Sequence, residues 1–143
     1  SNISGTLSGK GNLFSFIGFN KNDNPIGDLR KILEKQEVRF HHIRGKTEIK
    51  NKCIIGAYVE ITRSFIKNRC YASHRAFIGD ATINENTIIG AGTVFCNYNF
   101  NTNSKSISKI GKNCKIGSNV SIIAPIKIKA NTIVPAHTKY KKI

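Results

Sequence analysis

Branched aliphatic residues recur at every sixth position in the C-terminal part of the chain. The series is Ile110, Ile116, Ile122, Ile128 and Val134, and four positions after each member comes Cys114, Val120, Ile126, Thr132 or Thr138. An α-helix repeats its apolar face about every 3.6 residues and a strand every 2, so neither produces this spacing. A six-residue period is typical of a solenoid in which each flat side of the coil takes six residues.

The same period runs through the middle of the chain. The aliphatic positions there are Ile49, Ile55, Ile61, Ile66, Ala72, Ile78, Ile83 and Ile89, and the second set is Cys53, Val59, Cys70, Ala76, Thr87 and Thr93. Glycine often follows the aliphatic residue, as in Ile55-Gly56 and Ile89-Gly90, and we expect it at corners, where glycine adopts unusual backbone angles cheaply. The pattern predicts an all-β fold, a parallel β-helix over residues 46–138.

Three segments lie outside this pattern. Residues 1–45 lack the period, and within them residues 26–38 place apolar side chains on one helical face. We expect this region to form a short N-terminal α/β cap over the open end of the coil, with partner docking as the alternative. Residues 97–108 are polar and predict a projecting loop. Residues 139–143 are interpreted as a solvated basic tail.

The composition fits one domain with a strong positive charge. The 143 residues include 23 Lys and Arg against 8 Asp and Glu, for a formal net charge of +15. Such a charge attracts anionic ligands, although a coding bias that enriches Lys, Ile and Asn together explains it equally well. The basic residues are scattered and follow no known nucleic-acid motif, so a nucleic-acid partner is not predicted.

Cysteine usage and hydropathy restrict the class further. The cysteines at positions 53, 70, 96 and 114 form no C-x-x-C pair, and three of them occupy the small inward slot of the repeat. We therefore expect buried free thiols acting as small apolar side chains, and no metal site. No apolar stretch approaches about 18 residues, so membrane insertion is not predicted and a cytoplasmic location is.

One segment is more specific than the repeat itself. Residues 89–98 read I-G-A-G-T-V-F-C-N-Y, with His74 and Ile78-Gly79-Asp80-Ala81 upstream and Gly117-Ser118 downstream. Together these residues resemble the acetyltransferase domain of the family of bifunctional glucosamine-1-phosphate acetyltransferases and N-acetylglucosamine-1-phosphate uridylyltransferases. The resemblance implies a left-handed coil and a hexapeptide-repeat acyltransferase.

The resemblance also implies a reaction. It is acetyl transfer from acetyl-CoA to the amine of glucosamine-1-phosphate, for UDP-N-acetylglucosamine and cell-wall synthesis, in a homotrimer whose active sites lie between neighbouring coils. His74 stands at the position of the family's general base. The chemistry needs one, because an amine attacks a thioester only when deprotonated, and a neutral imidazole accepts a proton near pH 7.

Further site residues are carried over from the family position by position. The predicted acceptor-binding residues are Arg44, Arg63, Phe77, Asn97, Tyr98 and Lys105, and the predicted residues beside acetyl-CoA are Ala91, Ser118 and Ala136. Arg44 matches an arginine that binds the sugar phosphate, a role suited to the bidentate guanidinium group. Asn97 and Tyr98 match an Asn-Tyr pair that contacts the sugar.

The chain departs from the family at three acceptor positions. Thr62 replaces a phosphate-contacting lysine, with Arg63 adjacent; Phe77 replaces a tyrosine; and Ile88 replaces an asparagine. Each lost hydrogen bond weakens binding by about 1–3 kcal/mol. Two alternatives therefore stay open: an acetyltransferase for another, nucleotide-linked amino sugar, and a non-catalytic hexapeptide scaffold. A third, nucleic-acid binding through the net charge, predicts affinity that falls steeply with salt.

Overall fold

Three parallel sheets form the faces of a coil of about five turns in the computed structural model, which describes residues 13–15 and 42–142. The first face is β1 (Leu13–Ser15), β4 (Ile54–Ala57), β7 (Tyr71–His74), β10 (Ile88–Ile89), β15 (Lys115–Ile116) and β18 (Ile133–Val134). The second is β2 (His42–Arg44), β5 (Glu60–Thr62), β8 (Phe77–Gly79), β11 (Val94–Cys96), β16 (Ser121–Ile123) and β19 (Lys139–Tyr140). The third is β3 (Glu48–Ile49), β6 (Phe65–Ile66), β9 (Ala81–Ile83), β14 (Ser108–Ile110) and β17 (Ile126–Ile128). The predicted left-handed parallel β-helix is confirmed.

The strand register explains the irregular intervals in the repeat. Ile55 pairs with Ala72, the third inward position after it, and the shorter interval from Ile61 to Ile66 takes one residue out of that turn. In the last turn all intervals are equal, and Ile116 again pairs with the third inward position after it, Val134. A regular turn therefore consists of three repeats. Residues at the same place in successive turns lie directly above one another.

The inward positions form the core that the period predicts. The aliphatic residue of each repeat from Ile49 to Val134 is at most 3% exposed. Phe95 is also completely buried; it lies six residues after Ile89 and was missed because it is not a branched aliphatic. Buried Thr87 and Thr93 donate their hydroxyls to the backbone oxygens of Gly111 and Gly117, at 2.9 and 2.8 Å. A threonine can therefore occupy the small inward slot where a backbone oxygen of the next turn accepts the hydrogen bond of its hydroxyl.

The cysteines behave as the repeat predicts. Cys53, Cys70 and Cys114 are buried in the small slot, and all four cysteines are free. The thiol of Cys70 donates to the backbone oxygen of Asn84 at 3.0 Å, and burial raises the pKa of Cys70 to about 12. These thiols therefore pack as small apolar groups.

Glycine follows the aliphatic residues for a different reason from the one expected. Among the described residues, positive φ occurs at only two glycines, Gly45 and Gly92, so the corner-angle explanation is wrong for Gly56 and Gly90. A Cβ on Gly56 would lie 1.5 Å from the backbone oxygen of Ser73, on the next turn. Glycine is needed there because adjacent turns approach too closely for a side chain. The left-handed angles fall instead on residues that directly precede a Cys, Val, Ser, Ala or Thr of the coil, and on Asn103 in the hairpin. The first group is Lys52, Tyr58, Arg63, Arg69, Arg75, Asp80, Asn86, Asn113, Asn119, Asn131 and His137.

Residues 97–107 leave the coil as a hairpin, and Ser108, the last residue of the predicted loop, already belongs to β14. The strands of the hairpin, β12 (Tyr98–Asn99) and β13 (Ser104–Lys105), pair antiparallel, and the backbone amide of Ser106 donates to the oxygen of Asn97 at 2.8 Å across its base. The helix predicted over 26–38 lies outside the described residues, as does the proposed cap over 1–45 apart from residues 13–15 and 42–45. Within the described ranges no helix is long and apolar enough to cross a membrane.

Substituting Gly56→Ala should lower the free energy of unfolding by about 2–3 kcal/mol or more, because a methyl group there overlaps the backbone of Ser73. Urea unfolding measures the change. The matched variant Ser73→Ala removes only a hydroxyl and leaves the backbone of residue 73 in place, and should stay within about 0.5 kcal/mol of the parent. Equal stability of the two variants would contradict the close approach of the turns.

Candidate functional site

The predicted base and the predicted cofactor residues form one column on one corner of the coil. This first corner, between the first and second faces, stacks Ala57, His74, Ala91, Ser118 and Ala136 on successive turns. Backbone bonds join the turns: the amide of Gly92 donates to the oxygen of His74 at 3.3 Å, and that of Asn119 donates to the oxygen of Ala91 at 2.8 Å. Neighbouring turns lie about 4.8 Å apart, so Ala136 is roughly 14 Å from His74 along the corner.

The side chains on this corner leave it open above His74. His74 is the last residue of β7 and is exposed, because the coil turns outward after the inward residue Ala72. The next three turns present only a methyl or hydroxymethyl group, at Ala91, Ser118 and Ala136, and the last two of these are exposed. An elongated ligand fits along such a corner with one end at the imidazole.

A second corner, between the second and third faces, carries a hydrogen-bonded network centred on Asp80. The guanidinium of Arg63, one turn below, donates to the two carboxylate oxygens from Nε at 2.7 Å and from Nη2 at 3.0 Å. The amide Nδ2 of Asn97, one turn above, donates to Oδ2 at 2.6 Å. Arg63 also donates from Nη1 to the hydroxyl of buried Thr62 at 3.1 Å. Three successive turns are thereby held by one carboxylate.

The network keeps Asp80 ionised. Its hydrogen bonds from Arg63 lower the pKa of Asp80, burial raises it, and the bond from Asn97 and the charges of Arg63 and Lys105 lower it again, for a net decrease. The side chain of Asp80 is 13% exposed and that of Arg63 is 38% exposed. The guanidinium is therefore fixed in direction and still reachable from solvent.

Packing also fixes the amide of Asn97. A Cβ on Gly79 would lie 2.6 Å from Nδ2 of Asn97 and 2.8 Å from the ring of Phe77. The absence of a side chain at Gly79 thus leaves the space that both groups use. Phe77 is half-buried on the second face, between the two corners.

The remaining predicted acceptor residues lie near the second corner. Arg44 ends β2, pairs in register with Thr62, and donates from Nη2 to Oε1 of Glu60 at 2.8 Å. Tyr98 and Lys105 are paired residues of the exposed hairpin above Asn97. Ile88, one of the departures from the family, lies on the first face and is 41% exposed.

A single chain does not bring the two corners together. His74 and Asp80 have strand β8 between them, and an extended segment of that length spans roughly 15–20 Å. The imidazole is therefore out of hydrogen-bonding reach of the network on its own chain. A site that uses both corners needs a second copy of the chain.

Asp80 is the site residue that the sequence analysis did not assign. The signal was present, because positions 63, 80 and 97 are evenly spaced and occupy the same place in three successive turns. Reading the sequence by whole turns in addition to faces would have placed the three side chains in one column. Among the described residues no group of three His, Cys, Asp or Glu side chains is arranged to hold a metal ion.

Comparison with known proteins gives consistent relatives. The protein named bifunctional protein GlmU of Anaplasma marginale (strain Florida) is 39% identical over 97 residues, covering 68% of this chain and 22% of that protein. The protein of the same name from Wolbachia pipientis wMel is 36% identical over 115 residues, 78% of this chain and 26% of its own length. That of Aquifex aeolicus (strain VF5) is 47% identical over 89 residues, 62% of this chain and 19% of its own length.

The chain thus spans about a quarter or less of the length of these relatives. No protein-family model matches it.

Substituting Asp80→Asn should lower the free energy of unfolding at pH 7, because it removes the ion pair with Arg63. The expected loss is only about 1 kcal/mol, because Arg63 is partly exposed and solvent screens the pair. The folded-state pKa of Asp80 is lowered, so its carboxylate stabilises the fold above the ordinary value of 3.8, and this contribution is lost as pH falls through the lowered pKa. Urea unfolding at several pH values should show the gap between parent and variant closing below about pH 4.

The control is Glu85→Gln, which removes a carboxylate between β9 and β10, outside the network. A gap for Asp80→Asn that stays constant down to about pH 2, or one that Glu85→Gln reproduces, would contradict the assignment.

Proposed function

Since this chain carries a GlmU-like acetyltransferase domain, we propose that it transfers an acetyl group from acetyl-CoA to the amine of an amino-sugar phosphate, with glucosamine-1-phosphate as the acceptor. The observation that supports this most directly is the first corner. The predicted base and the three small residues predicted to lie beside the cofactor stack there on successive turns. Residues that are far apart in the sequence, from 74 to 136, thus line one straight edge.

The residues present fit an elongated thioester. Its acyl end meets His74, and the open stretch at Ala91, Ser118 and Ala136 accommodates its arm without a large side chain. Acetyl-CoA supplies an activated acyl carbon. His74 takes a proton from the attacking amine as nitrogen bonds to that carbon, the carbon–sulfur bond breaks, and the imidazolium returns the proton to the departing thiolate. Positioned proton transfer of this kind contributes about 10²–10⁴-fold.

The second corner suits the acceptor. Arg44 and Arg63 supply guanidinium groups for a phosphate, and Asn97, whose amide nitrogen donates to Asp80, supplies an amide oxygen that can accept a hydrogen bond. Arg63, held by Asp80, provides a cation next to Thr62, where the family has lysine. The missing polar groups at Phe77 and Ile88 favour the second candidate, an acetyltransferase for a nucleotide-linked amino sugar.

The separation of the two corners supports the homotrimer. If the first corner of one copy faces the second corner of the next, every interface completes one site. The first face offers exposed apolar side chains for such packing: Tyr71, Ile88 and Ile133 lie in one column and are 38, 41 and 71% exposed, with Lys115 between Ile88 and Ile133. In this proposal the product serves UDP-N-acetylglucosamine and cell-envelope synthesis in the cytoplasm.

Substituting His74→Ala should lower kcat for acceptor-dependent thiol release from acetyl-CoA by about 10²–10⁴-fold, with a smaller change in KM, because it removes the base. The assay uses glucosamine-1-phosphate, other amino sugars and a nucleotide-linked amino sugar in parallel.

His137→Ala, which removes another exposed imidazole, is the control and should keep kcat within about twofold. Turnover with the nucleotide-linked sugar alone would identify that sugar as the acceptor and would still support acetyl transfer. No thiol release with any amine would overturn the proposed function in favour of a non-catalytic scaffold.

Mixing two inactive variants tests whether the site is shared between copies. His74→Ala damages the first corner and Asn97→Ala damages the second, so random mixed trimers should regain about a quarter of the parent activity, at interfaces where both intact corners meet. Co-expression followed by the thiol-release assay measures it. Co-expression of His74→Ala with the double variant should regain none. If the mixture is no more active than either single variant alone, the site is not shared between copies.

A further inference from the structure

Three arginines occupy equivalent places on the three corners of the coil. Arg63, Arg69 and Arg75 are spaced six residues apart, and each has a left-handed backbone, with φ of 47, 57 and 47°. Arg63 lies on the second corner, Arg69 on the third corner, between the third and first faces, and Arg75 on the first corner. The same side chain thus stands in three surroundings, and the neighbouring turns decide what it contacts.

Two of these arginines are held by the turn above. The Nε of Arg63 donates to the carboxylate of Asp80 at 2.7 Å. The Nε of Arg69 donates to Oδ1 of Asn86, also at 2.7 Å. Asp80 and Asn86 occupy the left-handed place of the next turn. An arginine in this place is therefore satisfied when the residue above it offers a side-chain oxygen.

The corresponding residue above Arg75 is a glycine. Gly92 has the same left-handed backbone, and its amide donates to the oxygen of His74, one turn below. A Cβ on Gly92 would overlap the amide oxygen of Asn119, so packing against the following turn excludes a side chain there. Within residues 13–15 and 42–142 the guanidinium of Arg75 consequently has no hydrogen-bond or ion-pair partner.

The guanidinium of Arg75 instead contacts an aromatic ring on the turn below. Its Cζ lies 6.0 Å from the centroid of the ring of Tyr58, a distance at which cation and ring attract each other. The backbone amide of Arg75 donates to the oxygen of Ala57 at 3.0 Å, which fixes the two turns against each other. A ring contact satisfies none of the N–H donors of the guanidinium, so these remain available to a ligand.

The charge of Arg75 is not balanced by an acid of the same chain. The four acids of the described ranges lie elsewhere: Glu48, Glu60 and Asp80 each pair with another cation, and Glu85 lies on the third corner. The residue directly before Arg75 is the predicted base. Consecutive Cα atoms are about 3.8 Å apart, so an anion bound by Arg75 lies beside the group that receives the proton of the amine.

We propose that Arg75 binds a phosphate that the acceptor carries on the carbon adjacent to the amine-bearing carbon, an inference that rests on the proposed acetyl transfer at His74. An amine at the imidazole places such a phosphate next to the guanidinium, which holds phosphate oxygens with two parallel hydrogen bonds. The arm of acetyl-CoA extends from His74 past Ala91, whereas the guanidinium lies over Tyr58 on the other side. The phosphates of the donor are therefore not the anion that Arg75 meets.

Two acceptors share this chemistry. Glucosamine-1-phosphate carries a phosphate on the carbon next to its amine, and UDP-glucosamine carries a diphosphate there. Glucosamine has the same amine and no phosphate, and glucosamine-6-phosphate carries its phosphate on a distant carbon. The four compounds separate recognition of the adjacent phosphate from a general attraction of anions.

Calorimetric titration of the full chain with each phosphorylated compound tests the proposal. Substituting Arg75→Gln should weaken the Kd of the acceptor by about 10- to 100-fold, the loss expected for hydrogen bonds to a charged group. Arg75→Lys keeps the charge and should recover part of the loss. The matched control Arg69→Gln removes the same charge from the same left-handed place on the third corner, and should change the Kd less than about twofold.

A kinetic measurement complements the titration. In the thiol-release assay Arg75→Gln should lower the ratio of kcat/KM for the phosphorylated acceptor to kcat/KM for glucosamine by a similar factor, because only the first compound loses a contact. The KM for acetyl-CoA should stay within about twofold. Circular dichroism and light scattering establish that each variant keeps its fold and its oligomeric state.

Weaker binding of glucosamine-1-phosphate or UDP-glucosamine in Arg75→Gln alone would support the assignment and identify which of the two is bound. Equal weakening by Arg69→Gln, or an equal loss for glucosamine-6-phosphate, would overturn it, because net charge would then explain binding. Loss of the oligomer in Arg75→Gln alone would also overturn it, in favour of an ion pair with a carboxylate of a neighbouring copy.

The outcome for Arg75 is separable from the outcome for the reaction. Thiol release that persists while Arg75→Gln binds the acceptor as the parent does would reject the role of Arg75 and keep acetyl transfer. Absence of thiol release from the parent with any amine would reject acetyl transfer, and with it the acceptor site at Arg75.

Discussion

Hydrogen bonding between successive turns is the constraint on which the rest of this molecule depends. Every strand of each face pairs in parallel with the strand one turn away, so all side chains repeat at about 4.8 Å along fixed columns. At Gly56 this spacing leaves no room for even a methyl group. The same rigidity brings residues that are one full turn apart in the sequence into direct contact. On such a scaffold the side chains of a site lie in columns, and the distance between two of them follows from the number of turns that separate them.

Charged side chains use these columns in two opposite ways. At the second corner Asp80 lies between Arg63 and Asn97, and each of them donates hydrogen bonds to its carboxylate. The network thereby orients a guanidinium and an amide and neutralises the charge of the carboxylate. On the third face Lys109 and Lys127 occupy the same geometry without an acid between them. The first arrangement stabilises the fold and positions groups toward a ligand. The second raises the local positive potential.

The six-residue period predicted the faces, the inward residues and the buried thiols, because every sixth residue is buried and must be apolar, which is visible in the sequence. It did not predict why glycine follows Ile55, since close approach of backbones depends on the neighbouring turn and leaves no local signal. Asp80 was overlooked although the length of one turn places it between Arg63 and Asn97. Residues predicted from the family resemblance, such as His74 and Ala136, share a column. The six-residue period alone could not show this, because it does not say which residues stack across the hairpin of residues 97–107.

A rigid coil explains why a complete site should require a second copy. The imidazole of His74 and the network around Asp80 face outward from two corners, and the strand β8 that separates them is fixed in register with its neighbours, so no local movement closes the gap. A globular enzyme can fold a loop over its substrate, whereas here the hairpin is the described segment that leaves the coil. Catalysis that needs both a base and an anion-binding corner is therefore most simply built by setting the corners of two copies face to face. Oligomerisation then brings the imidazole of one copy and the guanidinium groups of the next into one site.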